Sequence, residues 1–165
     1  MIKRPADYGS LMHEPRDQDA AAQPDHGLLR DLVHATYWLD DGLQAYMREH
    51  AGMSLPRAQS MMMVYISEGV DRPSDLAKRL RVTKQAVRQG LKELIAKDIL
   101  TIEPDPSNGR QKLIRFTDHG RELRNIARQG LEYLEATLKR HIGVEPVQAM
   151  RKALDADWGT VPEGE

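Results

Sequence analysis

The chain has 165 residues, enough for one domain with a buried core, and no cysteine, which excludes disulfides, thiolate zinc sites and thiol-based redox sensing. The net charge is only −1, but residues 72–116 hold 11 Lys/Arg and 5 Asp/Glu, a local charge of +6, and the remainder is at −7. Such a basic segment fits a polyanion-binding surface, although an ordinary solvated face has the same composition.

Residues 1–25 are predicted to be a flexible tail, because they are polar and contain three prolines. They lack the apolar core of a secretory signal. No apolar run approaches the roughly 18 residues of a membrane span, so we expect no membrane partner. Together with the missing cysteine, this pattern favours a cytoplasmic location.

Residues 26–52 are predicted to form a long helix that takes part in dimerisation. Its apolar side chains recur at steps of three and four residues, namely Leu28, Leu32, Ala35, Leu39, Leu43 and Tyr46. Ala51 and Gly52 end the pattern.

Residues 53–117 have the element order of a winged helix-turn-helix. A methionine-rich helix, for which Ser54 is the candidate N-cap, precedes a short helix for which Ser74 is the candidate cap. A turn then leads to a second helix at residues 83–97, and strands at 100–103 and 112–116 flank a loop. The predicted fold is therefore mainly α with a small β-hairpin wing, a shape that places one helix in a DNA groove and a loop beside it.

The helix that begins at Thr83 has two different faces. Val87, Leu91 and Leu94 share one side at 100° per residue and are predicted to face the core. The candidate DNA-binding residues of this helix are Thr83, Lys84, Gln85, Arg88, Gln89 and Lys92. Arginine can contact guanine and glutamine can contact adenine with two hydrogen bonds, whereas lysine is better suited to phosphate. Any amphipathic helix also carries polar residues outside, which is the alternative interpretation.

The predicted loop at residues 104–110 ends in a cation. Its Asp105-Pro106 and Asn108-Gly109 steps are turn signals, so the flanking strands should form a hairpin with Gly109 and Arg110 at its tip. An arginine on a narrow projecting loop can enter the minor groove, and Lys112 can reach the DNA backbone. The alternative is a solvent-exposed hairpin charge.

Residues 118–156 are predicted to form two C-terminal dimerisation helices. Thr117 can cap the first, Gly143 ends it, and Pro146 opens the second. Residues 157–165 are expected to fray. The long terminal helices carry more apolar surface than a small winged-helix core can cover, so we expect a second copy to bury it. A monomeric bundle is the alternative.

Residues 74–120 resemble the multiple-antibiotic-resistance (MarR) family of bacterial transcription regulators. That family's wing reads Asp-Pro-x-Asp-Arg-Arg, and residues 105–110 read Asp-Pro-Ser-Asn-Gly-Arg. Its second strand ends in Leu-Thr followed by Gly, and residues 116–120 read Phe-Thr-Asp-His-Gly. Arg110 matches the family's wing-tip arginine. Asn108 and Gly109 depart from the pattern, which implies a more mobile wing and weaker DNA affinity.

The resemblance implies a homodimer that binds double-stranded DNA, as a repressor of nearby genes at a pseudo-palindromic operator. It also implies release from DNA by a small aromatic effector. The candidate ligand-binding residues are His34, Tyr37, Trp38, Met61 and Met62. Core and dimer packing is the alternative explanation of the same residues.

No enzymatic activity, metal or cofactor is expected. The sequence contains no phosphate-cradling glycine loop, no nucleophile elbow and no His-x-His spacing. The competing function is a winged-helix module that binds another protein without sequence-specific DNA binding. The basic side chains on the predicted reading helix and wing favour DNA, because they have no obvious purpose in a protein scaffold.

Overall fold

A computed structural model describes residues 27–162, and it describes Arg110 by its backbone alone. The tail expected at residues 1–25 lies outside the described residues, as does the end of the chain from residue 163. The helices of the described part are α1 (Gly27–Ala51), α2 (Arg57–Ser67), α3 (Pro73–Leu80), α4 (Lys84–Ala96), α5 (Asp118–Ile142) and α6 (Val144–Asp155). The strands are β1 (Leu100–Asp105) and β2 (Asn108–Phe116).

The chain divides into two compact units, and the boundary falls inside α1, between Thr36 and Tyr37. The described part of the first unit is the first ten residues of α1. Its side chains are mostly exposed, including the apolar Leu28 and Leu29. The second unit contains the remaining turns of α1 and every element from α2 onward.

One buried cluster in the second unit joins α2, α3 and α4 to the hairpin and the start of α5. Its most deeply buried side chains are aliphatic: Leu76, Val87, Leu94, Ile99, Leu100 and Ile114. The face of α4 that was predicted to point inward, Val87, Leu91 and Leu94, is at most 2% exposed, which confirms that prediction. Burial of these side chains fixes the rotation of α4 about its own axis, and its polar face must therefore point outward.

Two of the expected helix caps are confirmed and two are wrong. The Thr83 hydroxyl accepts a hydrogen bond from the Ala86 amide at 3.1 Å, and the Thr117 hydroxyl accepts one from the Gly120 amide at 2.9 Å. Ser54 does not cap α2, since Pro56 occupies the N-cap position. Ser74 does not cap α3 either, since that helix already begins at Pro73. Proline suits the first helical position because its missing N–H has no partner there anyway.

The hairpin is longer than expected. β1 and β2 pair antiparallel from Leu100 opposite Phe116 up to Asp105 opposite Asn108, so the turn consists of Pro106 and Ser107. The sequence-based prediction that Gly109 and Arg110 form the tip is therefore wrong. They lie within β2 at an irregularity in the ladder, opposite the step between Pro104 and Asp105.

The last two helices form a pair joined at Gly143, whose φ of 95° is in the left-handed region that favours glycine. α6 begins at Val144, two residues before the Pro146 start that was expected. Glu135 of α5 binds Lys139 on the same helix at 2.7 Å and Arg151 on α6. The hydrogen bond from Lys139 and the charge of Arg151 lower the pKa of the Glu135 carboxyl.

Between residues 27 and 162, none of the helices combines the length and the apolar composition that crossing a membrane requires.

Glycine allows two close approaches that hold this unit together. A Cβ at Gly120 would lie 1.9 Å from the backbone oxygen of Ile99, and a Cβ at Gly90 would lie 2.5 Å from the Cε atom of Met62. The first neighbour is rigid backbone, whereas the second is the end of a flexible side chain. The start of α5 can therefore pack on the segment that leads from α4 into β1 only because residue 120 has no side chain.

We predict that Gly120→Ala destabilises the fold by about 3 kcal/mol, since the backbone oxygen of Ile99 cannot move away without displacing the start of β1 or α5. Urea denaturation followed by circular dichroism measures the change in the free energy of unfolding. Gly109→Ala is the matched control, because no atom lies within 4 Å of the added Cβ. Equal stabilities of the two variants would contradict the packing described for Gly120.

Candidate nucleic-acid interface

The exposed face of α4 carries every polar side chain that the sequence assigned to this helix. Thr83, at the N-cap, starts the helix with its first backbone amides directed outward. The exposed side chains that follow are Lys84, Gln85, Arg88, Gln89 and Lys92. A helix N-terminus with free amides and nearby cations attracts phosphate, and the arginine and glutamine side chains can reach base edges.

Most of these side chains have no partner among the described residues. Lys84, Gln85, Arg88 and Lys92 make no side-chain hydrogen bond or ion pair within residues 27–162. The three cations are therefore not neutralised, and the Gln85 amide is not hydrogen-bonded, within the described part of the protein. Such unpaired cations on one helix face form an electrostatic footprint for a polyanion.

Gln89 differs from its neighbours, because its amide is already held. Its Nε2 atom donates to Oε1 of Glu93, one turn further along α4, at 2.7 Å. The other carboxylate oxygen of Glu93 accepts a hydrogen bond from Nε2 of Gln59 on α2. Sequence reasoning missed Gln59 and Glu93, since the two residues are 34 positions apart and only the fold brings them together.

The turn of the wing is organised by Asp105, which was not recognised from the sequence as a functional residue. Its Oδ1 atom accepts hydrogen bonds from the Ser107 hydroxyl at 2.6 Å and the Ser107 amide at 2.8 Å. Its Oδ2 atom binds Arg72 at 3.0 Å, although the side chain is only 4% exposed. The Asp-Pro-Ser spacing, typical of an Asx turn, is a signal that could have indicated the first two contacts.

The Ser107 hydrogen bonds and the charge of Arg72 lower the pKa of the Asp105 carboxyl. A folded-state pKa below the unfolded one means that the ionised carboxylate stabilises the native wing. This contribution is fully present at neutral pH and is lost as the pH falls from the ordinary carboxyl range through the lowered value.

The wing is also joined to the loop between α2 and α3. The Ile114 amide donates to the Asp71 backbone oxygen at 2.7 Å, and Arg115 binds the Asp71 carboxylate at 3.1 Å. Together with the contact between Arg72 and Asp105, these bonds attach both strands of the hairpin to the segment that begins α3. The two departures from the MarR wing pattern, Asn108 and Gly109, therefore lie in a hairpin that is attached to the rest of the fold through Asp71 and Arg72.

The two basic residues assigned to the wing lie on β2. Lys112 is exposed and pairs in register with Pro104. It lines an open crevice together with Gln111 of β2, Arg72 at the N-cap of α3 and the first residues of α3. The backbone of Arg110 lies two residues closer to the turn, and its side chain is outside the described part.

The residues considered for ligand binding have different environments. Met62 is 4% exposed and packs against Gly90, so it belongs to the core, whereas Met61 is 38% exposed. Met61 lines a second open crevice with Tyr65 and the basic residues at the end of α3. The Arg57 guanidinium lies 4.3 Å from the ring centre of Tyr37. Trp38 is half-buried, and His34 is exposed in the first unit.

Within the described residues, no three His, Asp or Glu side chains are grouped so that they could hold a metal ion.

The family model of the MarR family matches residues 51–111 of the chain. Among curated proteins, the Uncharacterized HTH-type transcriptional regulator YdgJ of Bacillus subtilis (strain 168) is 32% identical over 71 residues. That alignment covers 43% of this chain and 43% of the relative, so the chain matches less than half of the length of that protein.

Two solved structures are similar to a larger part of the chain than these alignments cover. Apo MarR from E. coli has 22% identity and a TM-score of 0.63, covering 78% of this chain and 94% of its own. The transcriptional repressor CouR, solved with a 23-mer DNA duplex, has 18% identity and a TM-score of 0.64, covering 78% and 89%. At these identities the two structures establish the fold. The family model thus shows that residues 51–111 are similar to MarR family regulators, and the two solved structures show that the fold is a winged helix-turn-helix of the same kind.

Proposed function

We propose that the chain acts as a homodimeric repressor that binds a pseudo-palindromic operator, with one α4 helix in the major groove of each half-site. The observation that carries this proposal is the set of unpaired polar side chains on α4, opposite a face that is almost completely buried. A rigidly held helix with a free basic face fits the groove-reading element of a winged helix-turn-helix. A relative of the same fold, CouR, is a repressor solved on DNA.

Roles within the interface follow from the chemistry of each side chain. Arg88, Gln85 and Gln89 lie in the first two turns of α4 and offer bidentate contacts to guanine and adenine. Lys84 and Lys92 carry flexible point charges, which suit phosphate oxygens because they impose little geometry. Thr83 places the free amides of the helix start near the same backbone.

The wing supplies a second contact in this proposal. Arg110 reaches the minor groove beside the half-site, and Lys112 binds the adjoining phosphates. The attachment of the hairpin to Asp71 and Arg72 supports these roles, because it fixes the position of β2 relative to α3. When the wing is held at a fixed distance from α4, the helix can contact the major groove and the wing the minor groove of one half-site without rearrangement.

The apolar surface of the terminal helices supports the homodimer. In the second unit, large apolar side chains remain exposed on α5, on α6 and beyond, among them Leu131, Ile142, Val144, Leu154 and Trp158. A monomer seldom exposes so many large apolar groups on consecutive elements. A second copy of the chain would bury them and would bring two α4 helices onto one duplex. Binding of regulated DNA would also require a cytoplasmic location.

Release by a small aromatic anion is the regulatory part of the proposal. It rests on the crevice beside Met61 and Tyr65, which is also lined by Lys78, Arg79 and Arg81. Apolar and ring groups next to cations suit a flat ligand that carries a carboxylate. The crevice adjoins the turn between α3 and α4, so an occupant can affect the reading helix.

The proposal is tested by selecting bound duplexes from a random DNA pool at about 0.15 M salt, where non-specific binding is reduced. Enrichment of a pseudo-palindrome by the native chain is the expected result. Enrichment of no sequence by a folded dimer would contradict the proposal and favour the protein-binding module.

Arg88→Ala should reduce the preference for one base pair per half-site by about 1–3 kcal/mol, because the bidentate contact is lost. Arg88→Lys is the matched control, since it keeps the charge but not the fork, and it should lose the same preference with less loss of overall affinity. Lys92→Ala should instead weaken binding to all sequences and reduce the salt dependence. Competition binding with single-base operator variants separates the two patterns. An unchanged base preference in Arg88→Ala would show that the groove assignment is wrong.

Ile142→Glu should raise the dissociation constant of the dimer at least about tenfold, because it places an unpaired charge in the proposed apolar interface. Sedimentation velocity over a range of concentrations measures the effect. Gln129→Glu, which adds the same charge at an exposed polar position of α5, should leave the dimer intact. A native chain that sediments as a monomer while bound specifically to DNA would refute the homodimer.

Benzoate-type carboxylates should raise the melting temperature of the native chain by about 5–10 °C at a concentration about 100 times the Kd, and should weaken DNA binding. Acetate serves as the control ligand, and Met61→Ala as the control variant with reduced stabilisation. Absence of stabilisation by all aromatic acids tested, with unchanged DNA binding, would rule out this effector class.

A further inference from the structure

Gln59 is a buried polar side chain whose role the DNA-binding surface does not explain. It lies on α2 and is only 4% exposed. Burial of an amide is costly unless its nitrogen and its oxygen both find partners. Both do so on α4 and its C-cap residue: Nε2 donates to Oε2 of Glu93, and Oε1 accepts a hydrogen bond from Nζ of Lys97 at 3.2 Å. The buried amide therefore binds two charged side chains of the reading helix.

Glu93 transmits this contact to the exposed face of α4. Its second oxygen, Oε1, accepts the hydrogen bond from Nε2 of Gln89 at 2.7 Å. Gln59, Glu93 and Gln89 thus form a continuous chain of hydrogen bonds from the interior to the proposed DNA surface, which we call the Gln59 chain. Of the side chains proposed to read bases, Gln89 is held in this way within the described residues, whereas Gln85 and Arg88 are not.

The hydrogen bond to Glu93 leaves Gln89 able to read a base. An amide nitrogen carries two hydrogens, so one remains after Glu93 has accepted the other. That hydrogen and the carbonyl oxygen are the donor and acceptor needed for a bidentate contact to adenine. The contact depends strongly on the orientation of the amide, and an unrestrained glutamine would lose rotamer entropy on binding.

We propose that Gln59 is a specificity-determining positioning residue, which orients the Gln89 amide through Glu93 although it does not touch DNA. This inference rests on the proposed function, since it requires α4 to enter the major groove. It predicts a particular signature. Loss of Gln59 affects the preference at the base read by Gln89, whereas attraction to phosphate, which does not depend on that orientation, is unchanged.

Lys97 strengthens the expected effect of removing Gln59. Lys97 lies four residues after Glu93, a spacing at which glutamate and lysine pair on a helix surface. Without the buried amide between them, Lys97 and Glu93 are free to pair directly. The carboxylate is then drawn toward the end of α4 and away from Gln89, which lies four residues in the other direction.

The test compares base preferences of the full-length chain on the selected duplex, with each operator position varied in turn. Gln89→Ala should lose about 5- to 150-fold of preference at one position per half-site. Gln59→Met, which keeps a similar side-chain volume, should lose about 2- to 10-fold at the same position, with an unchanged salt slope. In a chain that already carries Gln89→Ala, Gln59→Met should cause no further loss of preference.

Gln85→Ala is the matched control, because Gln85 is an exposed glutamine on the same helix outside the Gln59 chain. Its loss of preference should add to that of Gln59→Met, as independent sites do. If Gln59→Met fails to fold, Glu93→Ala carries the same test, since Glu93 is exposed and its removal frees Gln89 directly.

Three results would overturn the inference while the proposed function stands. They are an unchanged preference in Gln59→Met, an equal loss at every operator position, and a loss that persists in the Gln89→Ala background. If the native chain prefers no sequence at all, the proposed function fails, and the inference fails with it.

Discussion

Burial of one face of α4 is the constraint on which the rest of the interface depends. Val87, Leu91 and Leu94 are held in the aliphatic cluster, and Gly90 lets α4 approach Met62 on α2 more closely than any larger residue would. With four inward positions on one side, spread over two turns, the helix cannot rotate without exposing apolar surface, which is costly. The polar side chains therefore lie on the outer face of α4 before any DNA is present.

The same constraint extends to the wing. α5 begins directly on the backbone of Ile99, with Gly120 at the contact, and the hairpin between them is attached to Asp71 and Arg72. The helix α4, the hairpin and α3 are thus in direct contact with one another. For the DNA contacts proposed above, such a preorganised pair of elements loses less conformational entropy on binding than two mobile ones would.

Periodicity predicted α4 well, because a helical face is a local property of the sequence. The caps show where local reasoning failed. Ser54 is displaced from capping because the next residue, Leu55, is buried and its amide donates to Oε1 of Gln44 at 2.8 Å, which delays the start of α2. At α3, proline at residue 73 already has the fixed backbone of a first helical residue, so the helix starts before Ser74.

The wing and the Gln59 chain could not be predicted for a different reason. Turn signals located the hairpin, but the position of its tip depends on Asp105, whose carboxylate joins the Ser107 turn to Arg72, 33 residues away. The contact between Gln59 and Glu93 is equally distant in sequence. Such contacts depend on how α2 and α4 pack, and a single sequence contains no local pattern for them.

The most direct test of whether α4 lies on the duplex is DNA cleavage by an iron chelate attached to this helix. Because the chain has no cysteine, Gln85→Cys provides a single attachment point for an iron chelate on the exposed face of α4. The account predicts two symmetric clusters of cleavage on the selected operator, about 10 base pairs apart, one per half-site. Gln148→Cys on α6 is the control and should give no localised cleavage. Localised cleavage from position 148, with none from position 85 although the operator is bound, would contradict the account.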